Sequence, residues 1–316
     1  MCTAIRFCDG QGAMYFGRNL DWSVSYGQKV IITPRKYTYR SAFLGENIMR
    51  AGAIIGMAIV EEDTPLYFDC ANENGLAIAG LNFPGYTKYE SKEAEGKTNV
   101  AAYEFPLWVV ANFSTVDEVE DALRNVVIVS KPINDKYPVS ELHWLIGDKN
   151  RSIVVEYSEK GMEVFRNDTD VLTNQPGYNW HKENLRNYMN LSSQVPKEVK
   201  WGEATMNPFG AGSLMRGLPG DYYSPSRFVR AAFLNTHYPT QSTEDGNVSR
   251  LFHTLTGVAM IDGASAMADG TFEKTIYTSG YSASSKTYYY NTYGDPSIRK
   301  IALGDYDLDT SELIQL

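Results

Sequence analysis

β-type segments crowd the first ninety residues of this chain, and helical patterns follow in separate blocks. Residues 3–7, 13–17, 30–33, 53–60 and 67–70 read as short strands. Residues 76–82 add another across Asn74-Gly75, and Asn-Gly is a strong hairpin turn because both residues tolerate positive φ. Helical spacing begins at residues 103–113. Thr115-Val116-Asp117-Glu118 is a capping box, in which hydroxyl and carboxylate answer N–H groups left open at a helix start. Val116, Val119, Ala122, Leu123 and Val126 then share one apolar face. Strands return at 143–146 and 152–156, around a turn at Asp148-Lys149-Asn150, and again at 164–165 and 171–173. Helices are predicted at 180–189, 226–237 and 247–255, and residues 274–281 with 286–293 alternate like a hairpin. Strand blocks separated by helix blocks point to α+β layering, not to a doubly wound parallel sheet. The Gly/Pro-rich stretch 207–219 reads as an ordered loop rather than a linker, so residues 1–316 are expected to form a single domain.

A chain of 316 residues, 43% hydrophobic and 21% charged, is long enough for a sizeable core and ordinary for a soluble protein. Its net charge of −9, with no basic stripe, argues against nucleic acid as a partner and against adhesion to an anionic membrane. The N-terminus lacks a basic segment followed by an apolar one, and no apolar run reaches about 18 residues. No membrane anchor is therefore expected, and the cytoplasm is the default location. Cys2, Cys8 and Cys70 stand at irregular spacing, which suits neither a disulfide framework nor a structural zinc site. His143, His181, His237 and His253 do not form a metal-ligand spacing. Nucleophile-elbow, zincin, P-loop and dinucleotide motifs do not occur. The 22 tyrosines suit either a Tyr-rich core or a pocket for a large amphipathic ligand, and composition does not choose between them.

Chemistry enters at Cys2. A small residue after Met1 permits removal of the Met, which would leave a cysteine carrying both a thiol and a free α-amine. The two groups titrate near ~8.5 and ~7.7, close to working pH. A nucleophile activated by its own N-terminal amine is a working catalytic arrangement, and acyl transfer is its natural reaction. By itself, a cysteine here is more often a small buried hydrophobe. Gly17-Arg18-Asn19-Leu20-Asp21-Trp22 places a cation and a carboxylate three apart, just after a strand. If that strand pairs beside the one starting at Cys2, Arg18 would stabilise the thiolate and Asp21 would orient the amine. The commoner fate of such spacing is a surface ion pair. Asn82 and Asn174 stand at predicted strand ends, where side-chain amides can face an oxyanion. An Asx turn before proline is the plainer reading of each. Arg227 lies near a predicted helix N-terminus.

In combination these residues resemble a known family. Cys2-Thr3-Ala4, Gly17-Arg18-Asn19-Leu20-Asp21-Trp22, Asn72-Glu73-Asn74-Gly75-Leu76, Gly80-Leu81-Asn82-Phe83-Pro84-Gly85, Thr173-Asn174-Gln175-Pro176 and Ser224-Pro225-Ser226-Arg227-Phe228 resemble the choloylglycine hydrolase family. Within it the chain is most similar to bifidobacterial-type bile salt hydrolases, and the resemblance continues to Tyr277-Thr278-Ser279-Gly280-Tyr281. It implies an N-terminal nucleophile hydrolase fold, a four-layer αββα sandwich of two stacked antiparallel sheets. It implies hydrolysis of the amide joining a bile acid to glycine or taurine, in a bacterial cytoplasmic homotetramer that needs no metal or organic cofactor. Maturation is expected to need only loss of Met1.

Carried over, the family pattern makes Cys2 nucleophile and, through its amine, general base and acid. Arg18 and Asp21 position and polarise it. Asn82 and Asn174 stabilise the oxyanion, and Arg227 supports the thiolate and its network. The resemblance also extends to penicillin V acylases, which usually have Tyr where this chain has Asn82, and so Asn82 favours a bile salt. For a sterol-sized acyl group, Leu20, Trp22 and Tyr26 in a loop after Arg18, together with Phe83 and Ile133, are candidate apolar walls. The alternatives are a penicillin V acylase or other N-acyl amidase on the same fold and, more remotely, a non-catalytic sterol or lipid carrier with a structural Cys2.

Overall fold

The computed structural model describes residues 1–316. Two antiparallel sheets lie face to face. The six-stranded sheet runs, edge to edge, through Val171–Leu172, Cys2–Cys8, Met14–Trp22, Lys274–Ser282, Thr287–Thr292 and Arg299–Ala302. The eight-stranded sheet runs through Gly161–Arg166, Ser152–Ser158, Leu142–Gly147, Ala77–Asn82, Thr64–Asn72, Ile54–Glu61, Lys29–Thr33 and Ile314–Gln315. Helices Ser224–His237 and Glu244–Thr256 cover the first sheet, and Phe105–Asn112 covers the second. The expected αββα layering is what the chain adopts.

Two apolar clusters follow from this arrangement. One fills the space between the sheets and under the two long helices, with Ile5, Phe16, Leu81, Phe228 and Leu251 buried in it. The other lies beyond the eight-stranded sheet, where Trp144, Phe105 and Val119 pack. Both central sheets are covered on both faces, so their strands read as long apolar runs rather than strict alternation. No helix is long and apolar enough to cross a membrane.

Local sequence chemistry behaves as predicted at several points. Asn74-Gly75 turns the chain between Thr64–Asn72 and Ala77–Asn82, with Gly75 at φ 92°. Thr115 caps the helix Val116–Leu123, and in return its backbone N–H donates to the Glu118 carboxylate. The predicted strand at 13–17 is longer than expected. It runs Met14–Trp22, so Arg18, Leu20, Asp21 and Trp22 lie within a strand and not in a loop after one. One strand on each side holds this stretch: Cys2–Cys8 pairs along one edge and Lys274–Ser282 along the other. The predicted helix at 180–189 is instead Tyr178–Asn184, followed by a tighter 3₁₀ turn, Leu185–Tyr188.

Candidate active site

Cys2 opens the first strand and faces Leu20 of the next. Its side chain is buried, at 3% exposure. Arg18 Nη2 donates to Cys2 Sγ at 2.7 Å. The same guanidinium donates through Nη1 to the carbonyls of Phe68 (3.0 Å) and Gly80 (2.8 Å), and through Nε to that of Asn19. Arg18 is thus a fully buried cation anchored to the facing sheet, with one nitrogen aimed at sulfur. Burial alone would lower its pKa, but the charges of Cys2, Asp69 and Asp21 around it push it net upward, so it stays charged. Behind it, Asp69 accepts from Tyr277 at 2.5 Å, Ser279 at 2.9 Å and Tyr288 at 2.6 Å.

Asp21 lies three residues on. Odd spacing in a strand puts it on the opposite face from Arg18, towards the helices. Its Oδ1 accepts from Thr275 at 2.6 Å, and its Oδ2 is buried with no partner. Burial raises the pKa of the carboxyl above its usual value, against the pull of Arg227, the N-terminal ammonium, Thr275 and Arg18. Met1 precedes the first strand and bonds the end of the next. The Asp21 N–H donates to the Met1 carbonyl at 3.0 Å. The Met1 ammonium donates to the Asp21 carbonyl at 2.8 Å and to Glu273 at 2.7 Å. The Cys2 nitrogen is then a peptide N–H, donating to Asn174 Oδ1 at 2.7 Å.

Asn174 is the hub of this side. Its Oδ1 also accepts from Arg227 Nη2 at 2.7 Å, and its Nδ2 donates to the Asn82 carbonyl at 2.7 Å. An amide nitrogen has two N–H groups, so one remains for a substrate oxygen. The Asn82 side chain makes no hydrogen bond within the chain and lines the cavity beside Cys2. Arg227 reaches Cys2 through its carbonyl at 2.5 Å, not through sulfur, and also binds Thr3 and the Tyr222 carbonyl. Its contribution is therefore to the backbone of Cys2 and to Asn174. Cys2, Arg18, Asp21, Asn82, Asn174 and Arg227 are brought together.

A cavity of about 930 Å³, its open mouth included, lies over Cys2. Leu20, Trp22, Tyr26 and Ile133 line it. Phe83 does not. It is 1% exposed and stacks on His143 with ring centroids 4.2 Å apart, because the turn after Asn82 tucks it into the protein. Ile59, Leu66, Phe68, Tyr103 and Tyr137 complete the wall and were missed. Asp69, Thr275 and Glu273 were missed too; only Asp69 left a signal, as a carboxylate inside an otherwise apolar strand pattern.

A family model described as linear amide C–N hydrolases, choloylglycine hydrolase family, matches residues 2–316. A bile salt hydrolase/transferase of Bifidobacterium longum subsp. longum is 56% identical over 316 residues, 100% of this chain and 99% of that protein. A conjugated bile acid hydrolase of Lactobacillus gasseri is 46% identical over 315 residues, 99% of each. The crystal structure of the C2A variant of conjugated bile acid hydrolase from Clostridium perfringens superposes with a TM-score of 0.93 at 37% identity, over 100% of this chain and 96% of that one. Penicillin V acylase from Agrobacterium tumefaciens, with a TM-score of 0.78 at 18% identity over 100% and 91% of the two chains, shares the fold.

Proposed function

Because the chain belongs to the choloylglycine hydrolase family of linear amide C–N hydrolases, we propose that it is a bile salt hydrolase, cleaving the amide between a bile acid and glycine or taurine. The observation that carries this reading is the 2.7 Å contact of Arg18 with the Cys2 sulfur at the edge of a large, mainly apolar cavity. Met1 is removed in the active form, which turns the Cys2 nitrogen into an amine. The partnerless Asp21 Oδ2 is a ready acceptor for that ammonium.

The amine accepts the thiol proton, and the thiolate, held by Arg18, attacks the scissile carbonyl. Asn82 and the second N–H of Asn174 donate to the oxyanion; one such donor is worth roughly 3 kcal/mol. The C–N bond breaks as the protonated amine gives its proton to the leaving nitrogen. The thioester is opened by water, whose proton returns to the amine. An amine in place of water would give acyl transfer instead, in keeping with the hydrolase/transferase name of the Bifidobacterium relative. Leu20, Trp22, Tyr26 and Ile133 hold the steroid body. The whole chain acts as one domain, without a metal or organic cofactor, in a cytoplasmic homotetramer.

The test is incubation with glycocholate and taurocholate, with free amino acid read by ninhydrin and the protein by intact mass. Amino acid release from a chain lacking Met1 is expected. A correctly processed chain that releases neither amino acid would overturn the bile salt reading, and penicillin V would be tried next.

A further inference from the structure

Two buried histidines have no part in the proposed reaction, yet each ties the Thr173–Asn174 segment, just past the strand Val171–Leu172, to an aromatic residue beside the site. The His143 ring is fully buried, with Nε2 at 2.8 Å from the Thr173 carbonyl and Nδ1 at 3.2 Å from Glu156 Oε1. It stacks on Phe83, which follows Asn82. His181 repeats the pattern. Its Nε2 lies 2.9 Å from the Asn174 carbonyl, and its ring stacks, 4.6 Å between centroids, on Phe228, which follows Arg227.

We infer that His143, clamped by Glu156, is a positioning residue that sets the Asn82–Asn174 pair against the oxyanion. This rests on the role given to Asn174 above. A carbonyl only accepts, so His143 Nε2 carries a proton. Glu156 Oε1, which accepts the Tyr178 N–H at 2.8 Å, lies 3.2 Å from Nδ1 and holds that side of the ring. The ring therefore cannot rotate without breaking a bond on each side. His143 also lies next to Asn82 across the ladder, since Leu142 pairs with Asn82 and His143 with Leu81. It thus grips both arms of the Asn174 Nδ2 to Asn82 carbonyl bond, one through Thr173 and one through Phe83. A phenylalanine would keep the stack and lose the grip on Thr173.

The test compares His143→Gln, His143→Asn and His143→Phe in the full-length enzyme. Glycocholate kinetics are measured beside the rate of Cys2 alkylation by iodoacetamide. The Gln amide reaches the Nε2 position and the Asn amide does not. Expected values are a kcat within about fivefold of native for Gln and a loss of about 100-fold for Asn and Phe, the size of one lost oxyanion donor. KM stays within about threefold, because the interaction belongs to the transition state. Alkylation stays within about twofold, because Arg18 and Cys2 are untouched. Native kcat in Asn and Phe, a loss carried by KM, or alkylation falling with kcat would overturn the inference. If the Phe variant does not fold, the Gln–Asn comparison carries the test. Native turnover measured alongside tests the underlying reading separately, since its failure shows in the unmutated chain.

Discussion

Arg18 meets the Cys2 sulfur through one nitrogen, at 2.7 Å, and grips the facing sheet at Phe68 and Gly80 through the other. The position of the cation beside Cys2 is therefore set by how the two sheets stack. Lysine offers one point charge and no planar fork, so it cannot make the contacts on both sides. Arg18→Lys is expected to lower kcat/KM by roughly 100-fold or more and to slow Cys2 alkylation at pH 7, since thiolate character governs that rate. Stopped-flow alkylation and steady-state hydrolysis check this. An unchanged alkylation rate would remove Arg18 from thiolate stabilisation.

His181 predicts an acid limit to stability. Burial is the chief reason its pKa falls from 6.5 to about 4, aided by the charges of His143 and Arg227. Below pH 6.5 the unfolded chain binds a proton that the folded chain refuses until about pH 4. The contribution is therefore whole above pH 6.5 and is lost as pH falls through that window. At about 1.4 kcal/mol per unit, the loss is about 3 kcal/mol. Urea unfolding at pH 7, 5.5 and 4 measures it. His181→Gln, which keeps a donor for the Asn174 carbonyl, is expected to flatten this part of the slope.

Gly17 sits where the strand before Arg18 passes closest to its neighbours. An added Cβ would lie 2.3 Å from the Ser279 carbonyl oxygen and 2.8 Å from Leu251. The backbone carbonyl is fixed in the ladder, so the strand itself must move. Gly17→Ala is expected to cost about 1–3 kcal/mol of stability, as overpacking does, and to lower kcat by displacing Arg18. Thermal unfolding and kinetics of the same preparation check both halves. A variant of native stability would mean that the strand yields freely here.

The local parts of this structure were legible in the sequence. The capping box at Thr115, the Asn74-Gly75 hairpin and the strand-ending Asn82 each follow from chemistry within a few residues. What was hidden depends on pairing between distant segments. The strands Thr98–Ala101 and Val126–Val129 pair in parallel across the helices between them, and neither is long enough to announce itself. Arg18 and Asp21 were expected just after a strand, but they and the polar Asn19 between them lie inside it. Strand geometry holds there because Thr278 and Thr275 on the neighbouring strand bond the side chains of Asn19 and Asp21. Phe83 was placed by proximity to Asn82, which ignored the turn that buries it.

That correction separates two residues that the sequence treated alike. Ile133 lines the cavity, so Ile133→Ala is expected to remove about 1–2 kcal/mol of binding, roughly 5- to 30-fold in KM for glycocholate, with kcat little changed. Phe83 packs on His143 inside the protein. Phe83→Ala is expected to cost about 3–5 kcal/mol of stability and to act on kcat rather than KM. Steady-state kinetics with chemical unfolding distinguish them. A Phe83 variant that raises only KM would return that side chain to the cavity wall.

Asn82 offers the sharpest test of substrate class. Its side chain lies free in the cavity, bonded to nothing in the chain, beside Cys2. Tyrosine there would fill space that the proposed steroid needs and would replace two amide N–H groups by one hydroxyl. Asn82→Tyr is expected to leave folding intact, because the side chain is only half-buried and supports no neighbour. Glycocholate turnover is expected to fall by about 10- to 100-fold through loss of fit and of one oxyanion donor. Smaller phenoxyacetyl amides such as penicillin V should lose less. The ratio of the two turnover rates, measured on one preparation, isolates specificity from any general loss of activity. A fall of equal size on both substrates would confine Asn82 to the chemistry common to them and strip it of any part in choosing the acyl group.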